Sequence, residues 1–424
     1  MYHYNMNKIV NTTQRSNYIL LIFESVLFFF YFYKANLAFL GIPSALHTTR
    51  LVSLIYFAIF LFGGKNTIDK KTYAAKCLKK NLIFLLFVLL YCYLIIFSIG
   101  KGDGRNVTDD IINQIMFGFL MLFPLTSYFK NLDRLMSILL IVHIIQSIVV
   151  WACVINPSIS HLLDLTVNAS ESSDWFIEQR ESYAGGIGCI TSSGAIKFSF
   201  GFVACLYKYY IRPSVKYLIL FAFFSVTISM IARTGLILAL ITLLFLLLGS
   251  NKQRSYVKAV IAIVVLLVGF FAFSNIDKSS DFYYDHFRRF ERFEEKNGVL
   301  TWVTDAYLAG ETTIIPPLSY ETMRGTTVTS GVSGDGIRVN ADGGYIRNYV
   351  ALGLPLAIIF YVFVFGTCFK LSWKSKDEVK KILLLCTVFL IIGEFKEPYL
   401  FTIIPWTMFY LIAILSTSKI SEIR

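Results

Sequence analysis

Long apolar segments alternate along the whole chain with short segments that are rich in lysine and arginine. Twelve of the apolar segments approach the length of roughly 20 residues that a helix needs to cross a bilayer. The predicted helices are 18–39, 47–63, 81–99, 111–129, 135–155, 186–207, 214–231, 234–249, 256–274, 344–368, 380–395 and 399–417. The pattern therefore predicts an all-α polytopic membrane protein, with residues 1–424 forming a single integral membrane domain.

The apolar segment at 215–248 is about twice the length of one crossing, and Arg233 is its only charge after Lys216. An arginine in the middle of the hydrocarbon is costly, so we predict a turn, with one helix ending near Ser229 and the next beginning near Thr234. Arg233 then lies beside a helix N-terminus, whose free N–H groups favour an anion. The alternative role is an anchor in the lipid headgroups.

Basic residues in the connecting segments set the expected orientation. When the compartments alternate, one side receives almost all of them, at 8–15, 65–80, 130–134, 208–216, 252–258, 370–381 and 419–424. We expect this side to be cytoplasmic and to hold both termini. The opposite side holds two long loops, 156–185 and 275–343.

Composition excludes several classes of protein. The chain is 56% hydrophobic and 16% charged, with mean hydropathy +0.63, which is typical of a membrane protein and not of a soluble enzyme. Its net charge of +12 is scattered over short loops, so nucleic acid is not an expected partner. The cysteines form no Cys-x-x-Cys pair and the histidines no metal motif, so we expect neither metal nor cofactor.

The candidate chemistry lies in the loops on the outer side. Residues 180–188 combine Arg180 with glycines that permit close backbone approach, namely Gly185, Gly186 and Gly188. At 338–347, Arg338 and the carboxylate Asp342 precede a helix, where Asp342 is either a helix cap or a general base.

A tight outer turn is expected at 393–398, where Glu394 either joins Lys396 and Glu397 in an ion-pair network or helps to orient an acceptor.

Three of these segments resemble motifs of the O-antigen polymerase (Wzy-type) and O-antigen ligase superfamily. Residues 180–188 resemble its arginine-then-glycine entry into a helix. Residues 232–235 resemble its Ser-Arg-Thr/Ser-Gly turn, with Ala232 in place of serine. Residues 342–345, followed by 352–354, resemble the entry into the helix after the large loop. Asp342 stands where the ligase branch has a histidine, which favours a polymerase.

The resemblance implies a GT-C-like fold and a glycosyltransferase that uses glycan carried on undecaprenyl diphosphate, at the periplasmic face of the bacterial inner membrane. It implies that the growing glycan moves to the nonreducing end of a lipid-linked repeat unit. On that basis Arg180, Arg233 and Arg338 would bind the diphosphate, with Gly235 beside Arg233. The general base would be Asp342, with Asp335 and Glu394 as secondary candidates.

A separate regulator typically sets chain length in that family, so it is an expected partner besides the lipid bilayer. Three alternatives stay open at this point: an O-antigen ligase acting on lipid A-core, a flippase or transporter of lipid-linked oligosaccharide, and a noncatalytic membrane scaffold. The long outer loop and the charges gathered at one face favour the enzymes over the transporter.

Overall fold

The structure is a computed structural model of the 424-residue chain. It describes residues 19–37, 40–42, 46–62, 68–99, 104–129, 131–156, 158–159, 163, 186–188, 191–248, 318–325, 328–329, 337–338, 344–396 and 399–417. The predicted helix at 256–274 lies outside the described residues.

Most of the described residues are helical, and short turns, extended segments and one pairing of two-residue strands connect or accompany the helices. The first helices are α1 (Ile19–Phe32), α2 (Thr48–Phe62), α3 (Ile68–Ile99), α4 (Gly104–Asn113), a π-helix (Gln114–Phe119), α5 (Leu122–Phe129) and α6 (Leu132–Ile155). Next come α7 (Thr191–Phe198), α8 (Phe200–Ile211), α9 (Val215–Ile231), α10 (Arg233–Leu248) and α11 (Tyr320–Arg324). The strands β1 (Val328–Thr329) and β2 (Ile337–Arg338) pair in parallel. The last helices are α12 (Gly344–Leu352), α13 (Leu354–Trp373), α14 (Asp377–Lys396), a 3₁₀ turn (Tyr399–Phe401) and α15 (Ile403–Thr417).

Four stretches of the described chain are long and apolar enough to cross a membrane: Leu78–Ile95, Val107–Phe129, Leu132–Ile155 and Leu354–Trp373. Shorter apolar helices accompany them, including α1, α2, α9 and α15. Helices suit this setting because each satisfies its own backbone hydrogen bonds without water. The protein is therefore an α-helical membrane protein.

The predicted break before Arg233 is confirmed. Helix α9 ends at Ile231, Ala232 is extended (φ −163°, ψ 153°), and α10 begins at Arg233. A Cβ at Gly235 would lie only 2.5 Å from the Ile228 side chain, so a glycine here lets the two helices meet closely. One extended residue is thus enough to turn the chain.

Several predicted boundaries were wrong. Helix α3 begins at Ile68 instead of 81, so the lysines of 70–80 extend a helix and do not form a loop. Lysine and alanine, which fill this stretch, are both strong helix formers. The predicted helix at 111–129 begins at Gly104 and contains the π-helix. The segment at 186–207 becomes a turn followed by α7 and α8, with the first helix starting only at Thr191.

The C-terminal third also differs from prediction. The segment at 344–368 is two helices, because Gly353 between them adopts φ 81°, which helical residues do not. Helix α14 continues to Lys396, so residues 393–396 are helical and not the predicted tight turn. The described residues of the large loop include α11, which packs on α12 and α13 and whose Arg324 carbonyl accepts a hydrogen bond from Tyr91 (2.8 Å).

Ion pairs gather several helix termini at one end of the bundle. Glu24 near the start of α1 pairs with Arg134 at the start of α6. The adjacent Asp133 binds the amino group of Lys208, near the end of α8, at 2.7 Å. The Lys381 amino group, near the start of α14, lies 5.5 Å from the Tyr210 ring centroid. Helices α1 and α14 lead away from this end, so their last residues lie at the opposite end, and so does the start of α2, which is hydrogen-bonded to the chain after α1.

Candidate functional site

Three cations at that opposite end lie close enough to the buried His47 to lower its pKa, and we call Lys34, His47, Arg50 and Lys197 the basic cluster. His47 directly precedes α2 and is 8% exposed. Burial, and then the nearby charges of Lys34, Arg50 and Lys197, lower the pKa of His47 to about 3. The imidazole is therefore neutral at pH 7, and the three side chains around it supply positive charge.

Backbone contacts hold the cluster in place. The hydroxyl oxygen of Thr48 accepts a hydrogen bond from the Ala35 N–H (2.9 Å), and the Thr48 N–H donates to the Ala35 carbonyl (3.0 Å). These two bonds fasten the chain after α1 to the first turn of α2. They explain why Lys34 and His47, thirteen residues apart in the sequence, lie together.

The glycine-rich turn lies against the same segment. Gly188 has φ 54°, and a Cβ there would collide with the Lys34 carbonyl oxygen. Gly186 lies directly on the side chain of Gln146, whose Nε2 donates to the Ile187 carbonyl at 3.1 Å. The close approaches predicted for these glycines are therefore made to protein, and they bring the turn onto the basic cluster.

Arg50 connects the cluster to the π-helix region. Its Nη2 donates to the Asn113 Oδ1 at 2.8 Å, and its guanidinium lies 5.2 Å from the centroid of the Phe117 ring. The π-helix begins at the next residue, Gln114, which is completely buried. Neither side-chain polar atom of Gln114 has a hydrogen-bond partner among the described residues. π-Helical segments occur frequently at functional sites because they alter which side chains face inward.

Helix α7 lies between the basic cluster and the groups at the C-terminal end. It contributes Lys197, and it packs against α9 and α10, the two helices that meet at Ala232. The neighbouring Ile196 contacts α14, since a Cβ at Gly393 would lie 3.2 Å from the Ile196 Cδ1. The start of α10, with Arg233, and the end of α14, with Glu394, therefore belong to helices that pack on α7.

Glu394 is 2% exposed and binds groups from three other elements. Its Oε1 accepts hydrogen bonds from the Asn348 side chain of α12 (2.7 Å) and the Tyr361 hydroxyl of α13 (2.7 Å). Its Oε2 accepts from the Leu400 N–H of the 3₁₀ turn (2.8 Å). The sequence suggested ion pairing within 393–398, whereas these partners are neutral and come from elsewhere in the chain. The carboxylate joins four elements at the end of the bundle.

The structure locates only part of the predicted site. Arg233 is the first residue of α10, and Arg338 pairs with Thr329 between the short strands. Four predicted residues lie outside the described part of the chain: Arg180, Gly185, Asp335 and Asp342. Gly235 lies against Ile228 at the α9–α10 turn and is a packing glycine.

Sequence reasoning missed the basic cluster although a signal was present. Lys34, Arg50 and Lys197 each lie inside a segment predicted to be an apolar helix, at 18–39, 47–63 and 186–207. An ionisable side chain within a membrane segment is costly, and it marks a functional site by default. The same argument was applied to Arg233 and not to these residues.

The chemistry that the cluster suits is anion binding. The Nδ1 of His47 is buried without a hydrogen-bond partner among the described residues, which is costly in the absence of a ligand. A phosphate group could accept from a neutral imidazole N–H and from the surrounding cations, and such charge-assisted bonds are the strong ones. Among the described residues no group of three or more His, Cys, Asp or Glu could hold a metal ion.

Comparison with known proteins found no protein-family model, no curated protein and no solved structure that matches this chain.

Proposed function

We propose that the protein is a surface-polysaccharide polymerase, a glycosyltransferase that uses glycan linked to undecaprenyl diphosphate. It transfers the growing glycan to the nonreducing end of an incoming lipid-linked repeat unit. The basic cluster is the observation that supports this proposal most directly. Three cations near a buried imidazole, one nitrogen of which has no hydrogen-bond partner among the described residues, suit a diphosphate. They lie in a helical membrane protein, where a lipid-linked diphosphate is available.

The reaction explains why such a cluster is useful. The acceptor hydroxyl oxygen attacks C1 of the donor sugar, the bond from C1 to the diphosphate oxygen breaks, and the hydroxyl proton passes to a base. Negative charge develops on the departing diphosphate. Cations already in position stabilise that charge more in the transition state than in the ground state, and this difference is catalysis. Undecaprenyl diphosphate leaves as the anion.

The cations fall into two groups in this proposal. Lys34, Arg50 and Lys197 form the fixed part of the diphosphate site, since they lie on helices or on the chain tied to α2. Arg180, Arg233 and Arg338 complete it, because arginine binds two phosphate oxygens at once. Arg233 is in addition the first residue of α10, where the positive end of the helix dipole lies.

Asp342 is the proposed general base, and Asp335 is the second candidate. Asp342 lies two residues before Gly344, the first residue of α12. Glu394 already accepts hydrogen bonds on both carboxylate oxygens, so a substrate proton would compete with Asn348, Tyr361 and Leu400. We therefore assign Glu394 the role of holding α12, the helix that follows the base.

The membrane setting completes the proposal. About twelve transmembrane helices would form a GT-C-like bundle in the bacterial inner membrane, with both termini in the cytoplasm. The end that contains Arg134, Lys208 and Lys381 would face the cytoplasm, in keeping with the bias of lysine and arginine toward that side. The basic cluster would then face the periplasm, where lipid-linked repeat units are polymerised.

A gel of surface polysaccharide from a deletion strain tests the function. We expect the ladder to collapse to core plus a single repeat unit, and complementation with the wild-type gene to restore it. Asp342→Asn should fail to restore the ladder, whereas Asp377→Asn, an exposed carboxylate in the first turn of α14, should succeed.

Two other outcomes would overturn the proposal. Polymer that accumulates on undecaprenyl diphosphate while lipid A-core stays bare would indicate the ligase. Repeat units that remain on the cytoplasmic leaflet would indicate a flippase.

A further inference from the structure

An apolar groove of about 260 Å³ opens between α3 and the π-helix–α5 region. One wall is formed by Leu78 and Leu82 of α3, and the other by Phe119, Leu120 and Phe123. Among the described residues of the lining, Lys79 has the single charged side chain. The groove is thus an apolar channel with one cation, and it is separate from the basic cluster.

The position of Lys79 along α3 places its charge at a membrane boundary. The stretch of this helix that is long and apolar enough to cross a membrane is Leu78–Ile95, and Lys79 is its second residue. The side chain is exposed, and no salt bridge among the described residues engages it. Anionic lipid phosphates lie at this depth and attract lysine there, by about 1 kcal/mol per basic residue near the surface.

We propose that this groove binds one acyl chain of an anionic phospholipid, with Lys79 contacting the lipid phosphate. The volume is just below the roughly 300–1,000 Å³ of small-molecule pockets, which suits one flexible chain and not a ring system or a sugar. The lining offers a chain van der Waals contact on both sides. The charge at the mouth selects a negatively charged headgroup.

The polyprenyl diphosphate of the proposed reaction fits this groove less well. A diphosphate suits several cations, as in the basic cluster, whereas the described residues of the groove lining include one. The Arg50 partner Asn113 lies seven residues before Leu120, a helix rise of about 10 Å. A phospholipid at Lys79 would therefore stabilise the α3–α5 wall without occupying the diphosphate site.

Native mass spectrometry of the full-length protein, purified with phosphatidylglycerol and separately with phosphatidylcholine, tests the proposal. We expect one retained phosphatidylglycerol and no retained phosphatidylcholine. Lys79→Gln should weaken phosphatidylglycerol binding about fivefold, as the loss of one lysine–phosphate contact predicts. Lys80→Gln removes the adjacent exposed lysine, which does not line the groove, and should leave binding unchanged.

A second pair of variants tests the groove itself. Leu82→Trp places a large ring in the groove and should abolish lipid retention. Ile83→Trp adds the same ring at the next position, which is 57% exposed and outside the groove, and should not.

Equal effects of Lys79→Gln and Lys80→Gln, or full retention by Leu82→Trp, would overturn the proposal. So would displacement of the phosphatidylglycerol by an equimolar amount of undecaprenyl diphosphate, because the groove would then belong to the substrate. Since the readout is lipid mass, loss of the polymerase activity would not affect this test.

Discussion

Arg50 offers the sharpest test of the basic cluster, because its charge and its contacts within the protein can be removed by different substitutions. Arg50→Ala removes a cation that, in our proposal, makes a charge-assisted hydrogen bond to the diphosphate. Such bonds contribute about 1.5–3 kcal/mol. At 1.4 kcal/mol per factor of ten, the affinity for undecaprenyl diphosphate should fall about 10- to 150-fold.

The substitution also removes contacts within the protein. The hydrogen bond to Asn113 and the stacking over Phe117 are lost, and the latter contributes about 0.5–2 kcal/mol. Asn113→Ala serves as the matched variant, because it removes the same hydrogen bond and leaves the charge of Arg50 in place. It should lower the melting temperature less than Arg50→Ala does, because the contact of Arg50 with the Phe117 ring remains, and it should retain most of the affinity.

Isothermal titration of purified variants with undecaprenyl diphosphate measures the affinity, and thermal unfolding in the same detergent measures the stability. Arg50→Lys keeps the charge without the planar fork, so we expect an intermediate affinity. Arg212→Ala, an exposed arginine just after α8 at the other end of the bundle, controls for net charge. The reasoning is refuted if Arg50→Ala binds the diphosphate as tightly as wild type, or if Arg212→Ala weakens it equally.

Four further substitutions test other parts of the structure. Gly188→Ala should lower the unfolding free energy by about 1–3 kcal/mol, because the positive φ and the close backbone neighbour of Gly188 leave no room for a Cβ. Gly366→Ala, with open space around it, should not. Equal melting temperatures of the two variants would contradict this. The pKa of His47 is about 3 in the folded protein and about 6.5 when unfolded, so its contribution to stability is complete above pH 6.5 and is lost as the pH falls. Between pH 7 and 5.5 the wild type should therefore lose about 1 kcal/mol more unfolding free energy than His47→Gln. Equal losses in the two proteins would contradict the burial of His47. Glu394→Gln should cost about 1.5–3 kcal/mol of unfolding free energy because an amide N–H₂ then meets hydrogen-bond donors, and an unchanged thermal transition would argue against the network. Arg233→Ala should abolish polymer while the protein still inserts, with Arg233→Lys a poor substitute, and a full ladder in Arg233→Ala cells would exclude it from the site.

The break at Ala232 shows how far local reasoning reaches. An arginine in the middle of an apolar stretch twice the length of a crossing favours a turn at that point. The chain turns within two residues of the predicted position. The start of α3 shows the limit. The lysines that were predicted to form a loop form the first turns of a helix. The length of a helix depends on helix propensity, which is high for lysine, whereas the part that lies in the membrane depends on hydropathy.

The basic cluster could be anticipated only in part. Cations within apolar segments were visible at Lys34, Arg50 and Lys197, and each is costly enough to require an explanation. Their meeting at His47 was not visible, since it depends on the pairing of the chain after α1 with Thr48 and on the position of α7. The same applies to Glu394, whose partners Asn348 and Tyr361 are 46 and 33 residues away.

The sequence by itself determined that this is a helical membrane protein with alternating basic segments and a turn at Arg233. These properties are local, because a helix in lipid satisfies its own backbone hydrogen bonds and needs only a long enough apolar stretch. Only the tertiary structure decided which polar side chains share the interior. Contact between helices depends on how each is rotated and crossed against its neighbours, and the hydrophobic pattern of one helix, apolar on nearly all sides in α9 and α10, does not specify that rotation.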